Sequence, residues 1–304
     1  MHIVGLLFVS LSLLAFVRIS PLSFLEPLTT FLHASCINRL PENSTALPEL
    51  KALVCAENFS GLYISEIFVS SGLIHLFVVS GAHLLVLQKI YNRLSPGKSQ
   101  KIFFATLFIY AGACEFNSPV TRSLVAIYFS SLLISKHLFW PKHFCLLLVG
   151  LLTLLIEPAW LQSISLQLSW LAAFVVSLNQ DFFRDKSFLF KQSLYFFALL
   201  PLLIYLQIPS PLVIVLNLFF TPVLEFLLFP LGLLVWFFPR MYPLFDYLIE
   251  FCKWLLLKIN MQWQFQPDSA PTFLIIFNWA LIFLLHLIAH LAWMRKKRSG
   301  TWHA

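Results

Sequence analysis

Charge is scarce in this sequence. Only 11% of its 304 residues are Asp, Glu, Lys or Arg, while 60% are hydrophobic. Soluble domains average about 25% charged and about 45–50% apolar residues. A water-soluble globular class is therefore excluded, and an integral membrane protein is expected. Cysteine is sparse as well: Cys36, Cys55, Cys114, Cys145 and Cys252 form no C-x-x-C pair, which removes support for a zinc or dithiol site. Several catalytic signatures are missing too. "GKS" at 97–99 resembles the end of a phosphate-binding loop, but Asn92 stands where its first glycine must be. His286 and His290 lack the Glu of H-E-x-x-H. Ser80 and His83, three apart on one helix, are poorly placed as nucleophile and base, and Val78 breaks the G-x-S-G pattern. No internal repeat, low-complexity tract or ATPase motif occurs.

What is present is a series of apolar runs. A spanning helix needs about 20 mostly apolar residues. The chain offers about ten candidates: 3–18, 72–92, 102–116, 119–136, 143–160, 163–180, 190–208, 211–238, 243–259 and 271–293. The fold class expected is thus all-α, a polytopic transmembrane bundle. The stretch 102–116 is short enough to be re-entrant. Pro222 and Pro230 each remove a backbone donor from the long stretch 211–238 and should bend it. The first run lacks a basic leader and a small-residue cleavage site, so it reads as a helix rather than a signal peptide.

Lys and Arg then assign the ends. Lys89, Arg93, Lys98, Lys101, Lys136, Lys142, Arg184, Lys186, Lys191, Arg240 and the terminal "RKKR" fall on one alternating side, 14 of the 20 basic residues. Arg18, Arg39, Lys51, Lys253 and Lys258 fall on the other, and Arg122 lies inside a span. The positive-inside rule places both termini in the cytoplasm of a multi-pass inner-membrane protein. Four regions follow: a first transmembrane helix (1–18), a small extracytoplasmic cap with one or two amphipathic helices (19–71), a transmembrane domain (72–293) and a basic tail (294–304). Cys36 and Cys55 fall in the cap, where a disulfide or two free thiols are equally compatible with the sequence.

Polar residues at membrane depth are costly and should face protein or water. "HLFVVSGAH" carries His75, Ser80, Gly81 and His83; the imidazoles sit about 80° apart around a helix axis. "YAGACEFNSPVTRS" carries Glu115, Asn117 and Arg122, either a neutralising Glu–Arg pair or a phosphate-binding fork. Gln167 and Ser169 lie on "LQSISLQLSWLAAF", and Asn217 lies one turn before the Pro222 bend. Each is either a path-lining group or a hydrogen bond between helices. No carboxylate stands beside the histidines, so no metal site is expected.

The order of these motifs resembles the competence domain of the ComEC family, the inner-membrane DNA channels of natural transformation. The match runs from "LPELKALVCAENFSG" and "SGLIHLFVVSGAH" through Tyr110, Gly112, Pro119 and Arg122. It continues through Glu157-Pro158 and "LQLSWLAAF" to Asn217 and Pro222, covering about residues 46–238. Ala82 departs from the bulkier residue usual in the signature. The family's OB-like domain would not fit in 19–71, and no H-x-H-x-D-H of its metallo-β-lactamase-like domain occurs. The resemblance implies a minimal channel for single-stranded DNA, without catalysis or cofactor. Its lining would come from His75, Ser80, Gly81, His83, Glu115, Asn117, Arg122, Gln167, Ser169 and Asn217. It would work beside a separate periplasmic DNA receptor and a cytoplasmic helicase or nuclease, as a monomer or homo-oligomer. A midplane solute or ion transporter is the first alternative, and a structural membrane scaffold is the second.

Overall fold

A computed structural model describes residues 20–57, 68, 81–94, 100–138, 140–183, 185–206, 212–258 and 272–298. Among them the structure is all helical. After a 3-10 turn at Pro21–Leu25 come α1 (Glu26–Asn38), α2 (Leu47–Cys55), α3 (Gly81–Leu94), α4 (Gln100–Ala113), α5 (Ser118–Ser135) and α6 (Lys142–Ile156). A 3-10 turn at Pro158–Gln162 leads to α7 (Ile164–Asp181), then α8 (Phe188–Leu206), α9 (Leu212–Val223), a π-turn at Leu224–Leu228 and α10 (Phe229–Phe237). Another 3-10 turn, Pro239–Met241, precedes α11 (Tyr242–Lys258) and α12 (Thr272–Arg298). Each apolar run expected after residue 80 thus coincides with helix. The run 3–18 lies outside the described residues, as do residues 69–80.

Leu218–Phe237 and Thr272–Arg295 are each long and apolar enough to cross a membrane, while Gln100–Ala113, Lys142–Ile156 and Phe188–Leu202 are apolar but shorter. At 14 residues α4 spans about 21 Å, less than a hydrocarbon core of about 30 Å. It ends in a tight turn where Glu115 and Phe116 take φ of 53° and 45°. Left-handed backbone at two successive non-glycine residues is costly. The turn is held by Phe116 N–H to the Ala111 carbonyl (2.8 Å), Thr121 Oγ1 to the Phe116 carbonyl (2.7 Å) and Val120 N–H to Asn117 Oδ1 (3.3 Å). Pro222 and Pro230 do not break their helix. The intervening turn widens to i→i−5 bonding, and Phe229 N–H reaches the Leu224 carbonyl.

The chain forms two compact units, residues 1–23, 125–202 and 268–304 as unit 1 and residues 24–124 and 203–267 as unit 2. In unit 1, α6 runs antiparallel to α7 and α12. Lys142 at the start of α6 bonds Asp181 at the end of α7 (2.8 Å), and His143 meets His290 near the end of α12. Gly150 lets the Trp170 ring cross α6, since a Cβ there would lie 2.2 Å from it. Pro158 stops α6 by forcing Glu157 into extended backbone. Ser163 then caps α7 by accepting from Leu166 N–H (3.2 Å).

In unit 2 the short α2 is at the centre of the core. Leu50, Leu53 and Cys55 are fully buried, and α2 seats on α10, where a Cβ at Gly232 would lie 2.9 Å from Val54. One or two amphipathic helices were expected for 19–71, but among the described residues there only α1 and the turn before it keep exposed large apolar side chains, Leu28 and Phe31 on α1 and Phe24 in the turn. Three devices draw α2 inward. Cys36 and Cys55 are disulfide-bonded, with Cα atoms 5.9 Å apart. Asp246 on α11 accepts from Ser44 Oγ (2.5 Å), Thr45 N–H (2.9 Å) and Ala46 N–H (3.3 Å), capping α2 from a neighbouring helix. Lys253, one face along α11, pairs with the fully buried Glu49 and with Glu250.

The contacts also correct one assignment. His83 stacks on Phe229 (4.2 Å between centroids), and Lys89 sits over Phe226 (5.8 Å), so α3 and the 218–237 helix run in opposite directions. The far end of that helix, Trp236, donates to the Cys36 carbonyl (3.2 Å) and lies under the Arg39 guanidinium (4.8 Å). Arg240 is therefore at the disulfide end of unit 2, opposite Lys89 and Arg93, not beside them as charge alternation implied. Alternation assumes that every apolar run crosses once. One run that does not cross, among those between α3 and α9, is enough to invert the count.

Candidate functional site

The site grows from a close helix approach at the start of α3. Gly81 opens the helix without a side chain, and the second turn of α5 fills the space. A Cβ at Gly81 would lie 2.2 Å from Ser123 Oγ and 3.5 Å from Arg122 Nη2. Ser123 Oγ donates to the Pro119 carbonyl (2.8 Å) and accepts from Arg122 Nη2 (3.4 Å). Pro119 has no N–H and sits in the first turn after the Asn117 cap, so α5 begins at a fixed place. Ser118, Thr121, Arg122 and Ser123 are all buried there, and His83, also fully buried, follows Gly81 on α3. The Phe229 ring covers His83 and is edge-on to Tyr110 at 6.4 Å. A guanidinium and a serine hydroxyl thus meet α3 at Gly81 in the buried part of unit 2, and the His83 imidazole, about 200° around the same helix, is buried against Phe229. The collection can donate hydrogen bonds to an anion and carries one fixed positive charge.

Other expected site residues fall differently. His75 and Ser80 lie outside the described residues, and so does the side chain of Asn217. Glu115 is exposed on the tight turn, while Arg122 is buried within α5. Asn117 is occupied as a helix cap. Gln167 and Ser169 belong to unit 1. Gln167 is fully buried and donates Nε2 to the Ile275 carbonyl at 3.2 Å, joining α7 to α12, and Ser169 is half-buried on the same helix. The described members of the expected set are in two units, Gly81, His83, Glu115, Asn117 and Arg122 in unit 2 and Gln167 and Ser169 in unit 1. Among the described residues no group of three or more His, Cys, Asp or Glu is placed to hold a metal ion.

Sequence reasoning passed over Ser123, Glu49, Asp246 and Lys253. For the last three a signal existed, since each is an ionisable residue within or beside an apolar run, a position that requires a partner. Ser123 had none, because a serine next to Arg122 gains meaning only from the missing Cβ across from it.

Comparison with known proteins adds one finding. No curated protein and no solved structure matches the chain. The family model for "Competence protein" matches residues 62–298, more than three quarters of the chain, a range that includes the Gly81–Arg122–Ser123 contact. The chain thus belongs to the Competence protein family, the ComEC-type competence domain, and its role lies in competence.

Proposed function

We propose that this protein is a conduit that passes single-stranded DNA across the cytoplasmic membrane during natural transformation. The observation that carries the proposal is the coincidence of the family match with the buried Gly81–Arg122–Ser123 contact, with the buried His83 on the same helix. A strand carries one charge per nucleotide, and charge in hydrocarbon needs a wet path with donors. Arg122 contacts phosphate, and His83 and the hydroxyls beside Arg122 offer hydrogen bonds. The strand enters at the disulfide end of unit 2. There the Arg39–Trp236 pair adjoins Phe237, Phe238 and Arg240, all three exposed. Exposed rings stack bases without reading sequence, and arginines hold phosphate.

In this proposal the protein crosses the membrane several times, with the disulfide end of unit 2 outside and Lys89 and Arg93 at the cytoplasmic face, and the chain performs no catalysis. A separate receptor delivers DNA from the periplasmic side, and a helicase or nuclease acts on it elsewhere. The disulfide fits an oxidising compartment for α1 and α2. The test is transformation frequency and uptake of labelled DNA in His83→Ala and Arg122→Ala cells with normal protein levels. Both should fall at least about tenfold, the loss expected when one strong contact to a transferred charge is removed. Wild-type uptake in both variants would refute the proposal.

A further inference from the structure

The excess charge of the chain is concentrated at one end of unit 1. The turns 136–142 and 181–191 and the stretch 295–298 carry nine Lys or Arg against two Asp, an excess of seven. The formal net charge of all 304 residues is also +7, so the remainder of the chain is balanced. The fold brings the three stretches together. Lys142 opens α6 and pairs with Asp181 at the end of α7 (2.8 Å), and the neighbouring His143 meets His290 near the end of α12 (3.3 Å). Trp140 lies against Phe129 of α5 (5.8 Å) and Phe144 of α6 (5.4 Å), and Phe183 meets Phe190 of α8 (5.4 Å). The turn 157–163, at the opposite end of α6 and α7, has no Lys or Arg.

Apolar side chains share the charged end with the lysines. Leu138, Trp140, Phe182, Phe188 and Leu189 are exposed, and a lysine follows or precedes each of them within about one helical turn in sequence. The length of α12 sets the height of this end. Its 27 residues span about 40 Å, about 10 Å more than a hydrocarbon core, so the basic stretch 295–298 stands beyond the core when the apolar part of the helix fills it.

We propose that this end of unit 1 is a binding surface for the headgroups of acidic phospholipids in the cytoplasmic leaflet. The excess of basic residues puts it on the cytoplasmic side. That leaflet is negatively charged, and each Lys or Arg close to it strengthens binding about fivefold. The rings sit at headgroup level, and Leu138 and Leu189 reach the first acyl carbons. The two leucines favour lipid over nucleic acid. A single strand is held by stacked rings and basic groups and gains nothing from exposed aliphatic side chains. A phospholipid satisfies charge, ring and aliphatic group together. Lys142 contributes least, because Asp181 already holds it.

The test uses the full chain in phosphatidylcholine vesicles with a trace of spin-labelled phosphatidylglycerol or spin-labelled phosphatidylcholine. Electron spin resonance reads the share of each label immobilised on the protein. Wild type should select phosphatidylglycerol about fivefold at low salt, and potassium chloride at about 1 M should weaken that preference. Lys136→Gln, Lys186→Gln and Arg295→Gln in one chain should cut the preference at least in half. All three side chains are exposed, so the variant should fold, and a thermal melt checks that it does. Equal retention of the two lipids by wild type, or an unchanged preference in the folded variant, would overturn the proposal. A second arm adds a fluorescein-labelled oligonucleotide to the same vesicles. Strand binding that the triple variant loses and phosphatidylglycerol does not displace would also overturn it and assign the surface to nucleic acid. The lipid arm contains no DNA, so its failure is distinguishable from a failure of the proposed DNA path.

Discussion

Replacing Gly81 with alanine adds one methyl group at the tightest described contact of the family signature. The new Cβ would stand 2.2 Å from Ser123 Oγ and 3.2 Å from its Cβ. The hydroxyl cannot rotate away cheaply. It donates to the Pro119 carbonyl at 2.8 Å and accepts from Arg122 at 3.4 Å, inside a buried turn. Either α3 moves off α5 or Ser123 gives up both bonds. Overpacking of this kind costs about 1–3 kcal/mol, and a buried hydroxyl left without partners adds about 1–3 kcal/mol. Gly81→Ala should therefore lower the unfolding midpoint in detergent and reduce transformation. Ser123→Gly removes both the hydroxyl and the Cβ that the new methyl meets. In the double variant the two losses should not add, with a coupling of about 1–2 kcal/mol in a double-mutant cycle. The cycle is read by denaturant unfolding of purified protein and by transformation frequency in cells. Wild-type stability and uptake in Gly81→Ala would refute the close approach, and strictly additive losses would refute its assignment to Ser123.

The remaining predictions concern the held helix α2 and the corrected orientation. Cys36→Ser opens a loop with a sequence separation of 19 and should cost about 3 kcal/mol of stability; dithiothreitol should lower the wild-type midpoint and leave the variant unchanged. Lys253→Met strands the buried Glu49 carboxylate and should destabilise by about 3–5 kcal/mol, whereas Lys253→Met with Glu49→Leu should recover most of the loss; thermal unfolding of the three proteins decides this. Asp246→Ala removes three hydrogen bonds at the start of α2 and should cost more than Asp246→Asn, measured in the same way. Gln167→Leu breaks a single bond to Ile275, so it should change stability by only about 1 kcal/mol and leave DNA uptake near wild type. A loss of uptake at normal protein level would return Gln167 to the path.

Helix positions were legible because apolar runs and their stops are local properties. Pro158 after Glu157, Ser163 before Ile164 and Asn117 before Ser118 mark ends that the backbone obeys. The all-α class follows from the same runs. Direction was less legible. It was inferred from a parity count over many runs, and a parity count fails if one run does not cross. The candidate site was half legible. His83 and Arg122 declared themselves as ionisable residues at membrane depth, and both are buried in unit 2. Asn117 and Gln167 looked equivalent to them in sequence, yet one caps a helix and the other bonds a carbonyl of α12. A polar side chain in an apolar run signals the need for a partner, and only the fold says whether that partner is backbone, another side chain or water. The core role of α2 was hidden for a similar reason, because its anchors, Asp246 and Lys253, lie about two hundred residues away in sequence.

Arg240 gives the sharpest test of orientation because two kinds of inference disagree about it. Charge counting assigns Arg240 to the side of Lys89 and Arg93. The fold assigns it to the end that holds Cys36, since Trp236, four residues before it, bonds the Cys36 carbonyl and stacks under Arg39. The wild-type free cysteines, Cys114, Cys145 and Cys252, are buried or half-buried, so a single exposed cysteine can be read against a low background. Arg240→Cys and Lys89→Cys are to be labelled in intact cells with a membrane-impermeant maleimide, with and without prior permeabilisation. The disulfide compartment is oxidising, so label should reach position 240 in intact cells and position 89 only after permeabilisation. That result would place Phe237, Phe238 and Arg240 where incoming DNA first meets the protein. Labelling of both positions only after permeabilisation would return the loop to the cytoplasmic side and remove the entry surface from the proposed path. The buried Gly81–Arg122–Ser123 contact would be unaffected, because its geometry does not depend on which side faces out.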